Sequence, residues 1–308
     1  MHVIIAGGTG LIGRELTKEL AQHGYEVIIL SRKPDRVIGV PKGVEVIAWD
    51  GETVQGWGNL IEESKAIVNL AGENIAGEGF FPSRLTDERK ERIRTSRILP
   101  AKAILEAVAA AEKKPEVSVQ SSAIGYYGPR GDEKLNEESP PGDDFFAEWK
   151  EWEKVSASVE DMGVRRVIIR TGIVFSTGKG SALNRLVLPF KLYGGGPIGS
   201  GKQYLSWIHE TDEARAIRFL IENKEARGAF NLTAPNPATN EEVGKAIARV
   251  LHRPYYLPAP EFAFKLAFGE VSSLVTDGQR VMPQRLLEYG FEFRFPEVEP
   301  ALRDILKN

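Results

Sequence analysis

A glycine-rich turn near the start of the sequence has the spacing needed to bind a phosphate group. Gly7-Gly8-Thr9-Gly10-Leu11-Ile12-Gly13 follows the apolar run from Val3 to Ala6 and precedes an amphipathic pattern that continues to Gly24. Glycines let the backbone turn tightly beside a pyrophosphate, and the N-terminus of the following helix offers free N–H groups to the anion. The pattern therefore predicts a dinucleotide bound along Gly7, Thr9, Gly10, Leu11, Ile12 and Gly13. The alternative is an ordinary strand–turn–helix without a ligand.

The residues after the second apolar run favour a phosphorylated dinucleotide. The run from Tyr25 to Leu30 is followed by Ser31, Arg32 and Lys33. A site that prefers NAD usually has an acidic residue here for the ribose 2′-hydroxyl, whereas a 2′-phosphate requires cationic partners. Arginine can bind a phosphate with two parallel hydrogen bonds. We therefore predict NADP(H) at Ser31, Arg32 and Lys33, with two ordinary surface cations as the alternative.

Polar and small residues end the next two apolar runs, where the cofactor of a parallel sheet lies. Asp50 could accept a hydrogen bond from an adenine amino group, or it could simply form a turn. The second run ends at Asn69-Leu70-Ala71-Gly72, whose small residues allow the backbone to approach a ligand closely. We predict that all five of these residues contact the cofactor.

Hydroxyl groups follow the fifth apolar run, which ends at Ser121-Ser122 and continues to Tyr126-Tyr127. Functional groups concentrate on loops at the carboxyl ends of parallel strands. Ser121 is therefore predicted to contact the cofactor. Ser122 and Tyr126 are predicted to hold a carbonyl or hydroxyl group of a small-molecule substrate beside the nicotinamide. The alternative is a strand end with a turn and two core aromatic residues.

The composition excludes several classes of function. The chain of 308 residues has a net charge of -3 and no cysteine, which rules out disulfides and thiolate chemistry. Its four histidines are widely spaced, so no metal site is predicted. Arginines between 84 and 97 alternate with acidic residues, as on a solvated helix, so no nucleic-acid partner is expected. The apolar stretch 262–275 is too short and too charged to span a membrane, and we expect a soluble, cytoplasmic protein.

Short apolar runs alternate with longer helical patterns through the first half of the chain. Further strands are predicted at 43–48, 66–70, 116–122 and 165–170, and helices at 84–112 and 145–161. This alternation predicts an α/β fold with a doubly wound parallel Rossmann sheet. We expect residues 1–172 and 205–235 to form the nucleotide-binding domain. Residues 173–204, with a turn-rich stretch at 194–201, and 236–308 would form a smaller C-terminal substrate lobe.

Several of these motifs together resemble a known family. The glycine turn, Asn69 to Gly72 and Ser121 to Gly128 look like an atypical extended short-chain dehydrogenase/reductase. The chain resembles more narrowly the NAD-dependent epimerase/dehydratase-like branch, also called nucleoside-diphosphate-sugar epimerase-like or cell-division-inhibitor-like. Motifs of this branch occur at 69–75, 96–97, 170–174, 199–203, 206–209, 231–235, 252–254 and 290–296. The resemblance implies NADP(H) at the matching glycines, Arg32 and Lys33, and a C-terminal lobe over the substrate cleft.

The sequence departs from the wider superfamily at its usual proton donor. Those enzymes use a tyrosine with a lysine four residues later, and no such pair occurs in this chain. Phe146 and Lys150 have the spacing, but phenylalanine has no proton to give. We predict Ser122, Tyr126 and Lys150 as the catalytic residues, with Tyr127, Glu148 and His209 as further candidates for the proton donor; His209 could instead cap the following helix.

Two functions are compatible with these features. The first is an NADP(H)-binding oxidoreductase or epimerase-like enzyme that acts on a small carbonyl or hydroxyl substrate. The second is a non-catalytic NADP(H)-binding protein that senses redox state or binds a partner, which the missing tyrosine–lysine pair supports. A homodimer through two long helices is expected only by analogy with other proteins of this fold.

Overall fold

The computed structural model describes residues 2–77, 79, 83–143, 150–262, 266, 269–272 and 276–307. Its strands are, in chain order, β1 (His2–Ala6), β2 (Glu26–Ser31), β3 (Val44–Ala48), β4 (Ala66–Asn69), β5 (Val117–Ala123), β6 (Lys134–Leu135), β7 (Arg165–Thr171), β8 (Ile173–Phe175), β9 (Tyr204–Leu205), β10 (Trp207–His209), β11 (Gly228–Leu232), β12 (Ala238–Thr239) and β13 (Arg280–Val281). Its helices are α1 (Leu11–Gln22), α2 (Asp87–Ala110), α3 (Lys150–Val155), α4 (Ala182–Lys191), α5 (Glu210–Glu222), α6 (Asn240–Leu251), α7 (Gln284–Glu288) and α8 (Val298–Lys307).

Seven strands form one parallel sheet in the order β11-β7-β5-β4-β1-β2-β3. Val3 of β1 is paired with Val27 of β2 on one side and with Ala66 of β4 on the other. The chain reverses its direction of winding between β1 and β4, which is where such sheets bind ligands. This confirms the predicted doubly wound Rossmann sheet.

Helices cover both faces of the sheet because its strands are apolar on both sides. On one face, Leu16 of α1 and Ile217 of α5 pack against the inner strands. On the other face, Ile104 and Val108 of α2 pack with Trp57. These buried layers hold the carboxyl ends of β1, β4, β5 and β7 at one edge of the molecule.

A second apolar cluster lies under α4, α6 and α8. It includes Phe175, Trp207 and Phe190, with Val243 and Ile247 of α6. After β7 the chain leaves the large sheet for β8, which pairs with β10 instead, and it returns to the sheet only at β11. The sequence patterns did not predict α4, which lies just before the turn-rich stretch at 194–201.

Side chains cap the starts of two helices, and one of them is the His209 cap that the sequence offered as an alternative role. The side chain of Thr239 accepts a hydrogen bond from the backbone N–H of Glu242, and the Glu242 side chain bonds back to Thr239, so α6 begins with a capping box. His209 Nδ1 accepts from the backbone N–H of Thr211 at 3.0 Å and caps α5. Of the helix predicted at 145–161, Lys150–Val155 is helical and Ala157–Val159 is a 3-10 turn; residues 144–149, including Phe146 and Glu148, lie outside the described residues.

Candidate functional site

One cavity of about 1740 Å³ extends from the carboxyl ends of the sheet strands to the elements around α4 and α6. It brings together most of the residues predicted to bind cofactor or substrate: Gly7, Thr9, Gly10, Leu11, Ile12, Gly13, Ser31, Arg32, Asp50, Leu70, Ala71, Gly72, Ser121 and Ser122. Lys33, Asn69, Tyr126 and Lys150 lie outside its lining. The turn-rich stretch contributes Gly194, Gly196 and Ile198 to the far wall.

The glycine turn is shaped as a cradle that side chains would fill. Gly7 has a φ of +81°, which favours glycine, and a Cβ on Gly13 would lie 2.4 Å from the carbonyl oxygen of Gly7. The N-cap of α1 is Gly10, which provides no side chain to bond the first N–H groups of the helix. The described geometry therefore leaves these donors available to an anion.

The two cations after β2 differ in position. Arg32 lines the cavity with an exposed side chain, and within the described chain it makes no hydrogen bond or ion pair with another residue. A Cβ on Gly51 would lie 3.7 Å from its Cδ, so Arg32 lies beside the turn after β3. The buried Ser31 accepts a hydrogen bond from the backbone N–H of Lys33 at 3.2 Å, which fixes this corner. Arg32 is therefore the better placed of the two cations.

Asp50 forms its own turn. Its carboxylate accepts from the backbone N–H groups of Glu52 and Thr53 at 2.8 Å and 2.9 Å and from the Thr53 hydroxyl at 2.6 Å. The bond from the Thr53 side chain, followed by those backbone bonds, holds the pKa of Asp50 below its ordinary value. The turn role left open by the sequence is thus present, and the carboxylate also faces the cavity.

Asn69 supports the cavity wall from behind. The side chain is buried, donates to Gln120 Oε1 at 3.0 Å and accepts from the backbone N–H of Ala71 at 3.1 Å. A Cβ on Gly7 would lie 2.7 Å from the carbonyl carbon of Leu70. Asn69 therefore positions the Leu70–Gly72 backbone against the glycine turn.

Ser122 belongs to a buried polar network that the sequence did not reveal. Its Oγ donates to Glu153 Oε1 at 2.7 Å. Arg170 binds both oxygens of the same carboxylate, with Nε 2.9 Å from Oε1 and Nη2 2.8 Å from Oε2. Burial opposes the charge of Arg170, but the hydrogen bonds to Glu153 raise its pKa. The carboxylate is thus held in one orientation behind the Ser122 hydroxyl.

The tyrosines after β5 extend this network away from the cavity. The Tyr127 hydroxyl donates to Asn231 Oδ1 at 2.7 Å and accepts from Arg170 Nη1 at 2.9 Å. Burial raises the pKa of Tyr127 to about 12. The Tyr126 ring stacks on the Arg170 guanidinium, with 3.6 Å between the guanidinium carbon and the ring centroid. Lys150 is an exposed residue at the start of α3.

A fully buried carboxyl group lies behind a second hydroxyl of the cavity. Thr171 lines the cavity and donates to Glu213 Oε1 at 2.8 Å. Glu213 is fully buried, and its Oε2 has no hydrogen-bond partner among the described residues. Burial outweighs the hydrogen bond from Thr171 and raises the pKa of Glu213 to about 8. Glu213 was not identified from the sequence, where it is one acidic residue in an acidic helix start.

Ser122, Tyr126 and Tyr127 of this network were predicted as candidate site residues, and other members lie in motifs of the resembled family. Arg170 and Thr171 lie in a motif of the resembled family, although no role was assigned to them there. Within the described residues, no group of three or more His, Cys, Asp or Glu side chains is arranged to hold a metal ion. No helix in that part of the chain combines the length and apolar composition needed to cross a membrane.

The chain is similar to known proteins of one nucleotide-binding family over most of its length. Residues 3–233 match the NAD dependent epimerase/dehydratase family, and residues 259–305 match a domain of unknown function. The epimerase family protein YfhF of Bacillus subtilis is 37% identical over 99% of this chain and 98% of its own length. The chloroplastic epimerase family protein SDR39U1 homolog of Arabidopsis thaliana is 36% identical over 100% of this chain and 87% of its own length.

A solved structure shares the whole fold. The crystal structure of the human epimerase family protein SDR39U1 (isoform 2) with NADPH superimposes with a TM-score of 0.85 at 33% identity and covers 100% of both chains. The family match includes the glycine turn, the Ser122 network and the strand β11 that completes the large sheet. The chain therefore belongs to the NAD dependent epimerase/dehydratase family.

Proposed function

We propose that this chain is an NADP(H)-dependent oxidoreductase or epimerase-like enzyme acting on a small carbonyl or hydroxyl substrate. The observation that carries this proposal is a cavity lined both by the glycine cradle with Arg32 and by Ser122, whose hydroxyl is bonded to the buried Glu153 behind the wall. The NADPH in the crystal structure of the human relative supports the choice of cofactor.

The residues present fit such a cofactor. The pyrophosphate would lie on the Gly7–Gly13 turn and the N-terminus of α1, because that helix start has N–H groups without side-chain caps. Arg32 would bind the 2′-phosphate. Ser31 would fix the backbone of this turn through its hydrogen bond from the Lys33 N–H, and Lys33 would add a second positive charge. Asp50, the Leu70–Gly72 backbone held by Asn69, and Ser121 would line the rest of the groove. Residues 1–172 with 205–235 would then form the nucleotide-binding domain.

A bound nicotinamide supplies or accepts hydride, so the chain has to move one proton at the substrate oxygen. The Ser122 proton is directed to Glu153, and the lone pairs of Ser122 Oγ are therefore available to accept from a substrate hydroxyl. During oxidation, Ser122 would take the substrate proton while its own proton passes to Glu153; reduction would reverse these transfers. We propose this pair in place of the tyrosine that the wider superfamily uses.

Tyr126 has a positioning role, whereas Lys150 has no role in the proposed proton transfer. Tyr126 lies on Arg170 outside the cavity lining and would position the network, whereas the exposed Lys150 has no described contact with the site. This arrangement also supports the second candidate, a non-catalytic NADP(H)-binding sensor, because neither side chain reaches the cavity.

Titration of the intrinsic tryptophan fluorescence with NADPH and NADH tests the cofactor. We expect NADPH to bind at least tenfold more tightly, and equal affinities would contradict the role of Arg32. A panel of aldehydes and ketones, each offered with NADPH, then separates the two candidates. Consumption of NADPH that disappears in Ser122→Ala supports the enzyme, whereas tight NADPH binding without any turnover supports the sensor.

A further inference from the structure

We infer that the substrate of this site has an apolar body, such as a medium-length alkyl or aromatic group, and carries no diphosphate. This inference rests on the proposed function, because it assigns the part of the cavity beyond the cofactor to that substrate. Its basis is the apolar character of the residues that line this part of the cavity.

One wall of the cavity is built from residues of the second apolar cluster. Leu186 and Phe190 of α4 and Val243 and Ile247 of α6 line the cavity. Phe190, Val243 and Ile247 are buried in the cluster that also holds Trp207. Their close packing fixes an aliphatic surface against which an apolar group gains free energy by leaving water.

The rim of this region is apolar as well. Leu192 and Leu257 line the cavity and are 70% and 53% exposed. Leu257 is held in place because its backbone N–H donates to the carbonyl of Gly195 at 3.0 Å. Large apolar side chains that remain exposed around a cavity mark a surface that an apolar ligand can cover.

The cations of the cavity beyond Arg32 are poorly available for a second diphosphate. Arg97 donates to the backbone carbonyls of Ile93 and Glu73 and lies 4.2 Å over the Trp152 ring. Burial lowers its pKa to about 10, so it keeps its charge at neutral pH. Its donors are directed to the protein backbone, which leaves it as a structural cation of the wall.

Two other arginines are anchored in the same way. Arg92 pairs with Glu73 at 3.3 Å, and Arg185 donates to the carbonyls of Gly77 and Gly79 at 2.7 Å and 2.8 Å. Lys179 also lines the cavity, and we assign it to the cofactor because a Cβ on the preceding Gly178 would meet Leu11 of the glycine turn. A sugar nucleotide would thus meet apolar walls and guanidinium groups that are already bonded to the protein, a poor match for its phosphates.

A series of 2-ketones tests the inference on the full chain with NADP⁺ bound, because this complex cannot reduce a ketone. Affinities of 2-butanone, 2-hexanone, 2-octanone and 2-decanone are measured by calorimetry, with UDP-glucose as the polar comparison. Each buried methylene should strengthen binding about fourfold until the cavity is filled. UDP-glucose should not bind to the NADP⁺ complex. A flat series together with tight UDP-glucose binding would overturn the inference.

Variants of exposed leucines test whether the alkyl chain binds at the rim of the cavity. Leu257→Ser should weaken 2-decanone binding by about tenfold, because it removes one apolar contact surface, and leave 2-butanone unchanged. Leu287→Ser is the matched control, since Leu287 is 47% exposed but lies outside the cavity lining; it should alter neither affinity by more than about twofold. Equal effects of both variants on 2-decanone would contradict the assigned wall.

Turnover separates this inference from the proposed function. Binding that strengthens with chain length, but without any oxidation of NADPH, supports the apolar ligand and contradicts the enzyme. Oxidation of NADPH by short polar carbonyl compounds, with no dependence on chain length, supports the enzyme and contradicts the apolar substrate. Flat binding without turnover contradicts both.

Discussion

Ser122 Oγ lies 2.7 Å from Glu153 Oε1 and donates its proton to that buried carboxylate. The carboxylate cannot turn away, because Arg170 binds both of its oxygens. A serine hydroxyl that points at a carboxylate acts as an acceptor toward any further partner. The pair is thus arranged to receive a proton from an alcohol.

The first prediction concerns this pair. Ser122→Ala should lower turnover by about 10²- to 10³-fold, because it removes the group that relays the proton, while the NADPH affinity stays the same. Steady-state kinetics and fluorescence titration measure the two effects. Ser121→Ala is the matched control and should change turnover much less. Unchanged turnover in Ser122→Ala would exclude the relay.

The second prediction concerns the ion pair behind it. Arg170→Met should lower the free energy of unfolding by about 3–5 kcal/mol, because it leaves the Glu153 carboxylate buried without its partner. Urea unfolding measures this change. Arg94→Met breaks the exposed Arg94–Glu151 pair, 3.5 Å long, and should cost under about 1 kcal/mol. A loss in Arg170→Met no larger than in the control would show that Glu153 does not depend on this pair.

The third prediction concerns cofactor choice. Arg32→Ala should weaken NADPH binding about 10- to 100-fold and leave NADH binding unchanged, because a charge-assisted hydrogen bond to the 2′-phosphate contributes about 1.5–3 kcal/mol. Lys33→Ala should have a smaller effect, since Lys33 lies outside the cavity lining. Parallel losses for both cofactors would place Arg32 on another part of the dinucleotide.

The fourth prediction concerns pH. Burial raises the pKa of Glu213 from 4.5 to about 8, so the folded chain holds a proton that the unfolded chain releases above pH 4.5. This contribution to stability is fully present below about pH 4.5 and is lost as the pH rises toward about 8. Glu213→Gln should therefore flatten the decline of unfolding free energy between those values.

Urea unfolding at a series of pH values measures this decline. Glu225→Gln is a suitable control, because Glu225 is exposed and should leave the pH dependence unchanged. A decline of the same slope in Glu213→Gln and the unsubstituted chain would show that another group carries the proton.

Local patterns in the sequence were enough for the parts of the site that one segment forms alone. The turn from Gly7 to Gly13 and the cap at His209 follow from neighbouring residues, and the parallel sheet follows from apolar runs. Glu153 could not be identified in this way, since it meets Ser122 only after β5 and α3 pack together across 31 positions.

The orientation of Tyr126 and the conformation of residues 182–191 could not be predicted, because the local sequence is compatible with more than one arrangement at each place. Tyr126 was predicted to face the substrate, yet its ring lies on Arg170, because the turn after β5 directs it toward β7. Helix α4 was missed although Leu183, Val187 and Phe190 recur at helical spacing, since Pro189 and the nearby glycines favour a loop.

The path of the chain through the large sheet has an evolutionary consequence. A shorter gene that ended after Gly172 would encode β7 but neither α5 nor β11, so it would leave a bare sheet edge and an uncovered apolar face. Gene fission at that position would therefore expose apolar core surface in the shorter product. We expect selection to keep the nucleotide-binding and substrate-facing parts within one continuous gene.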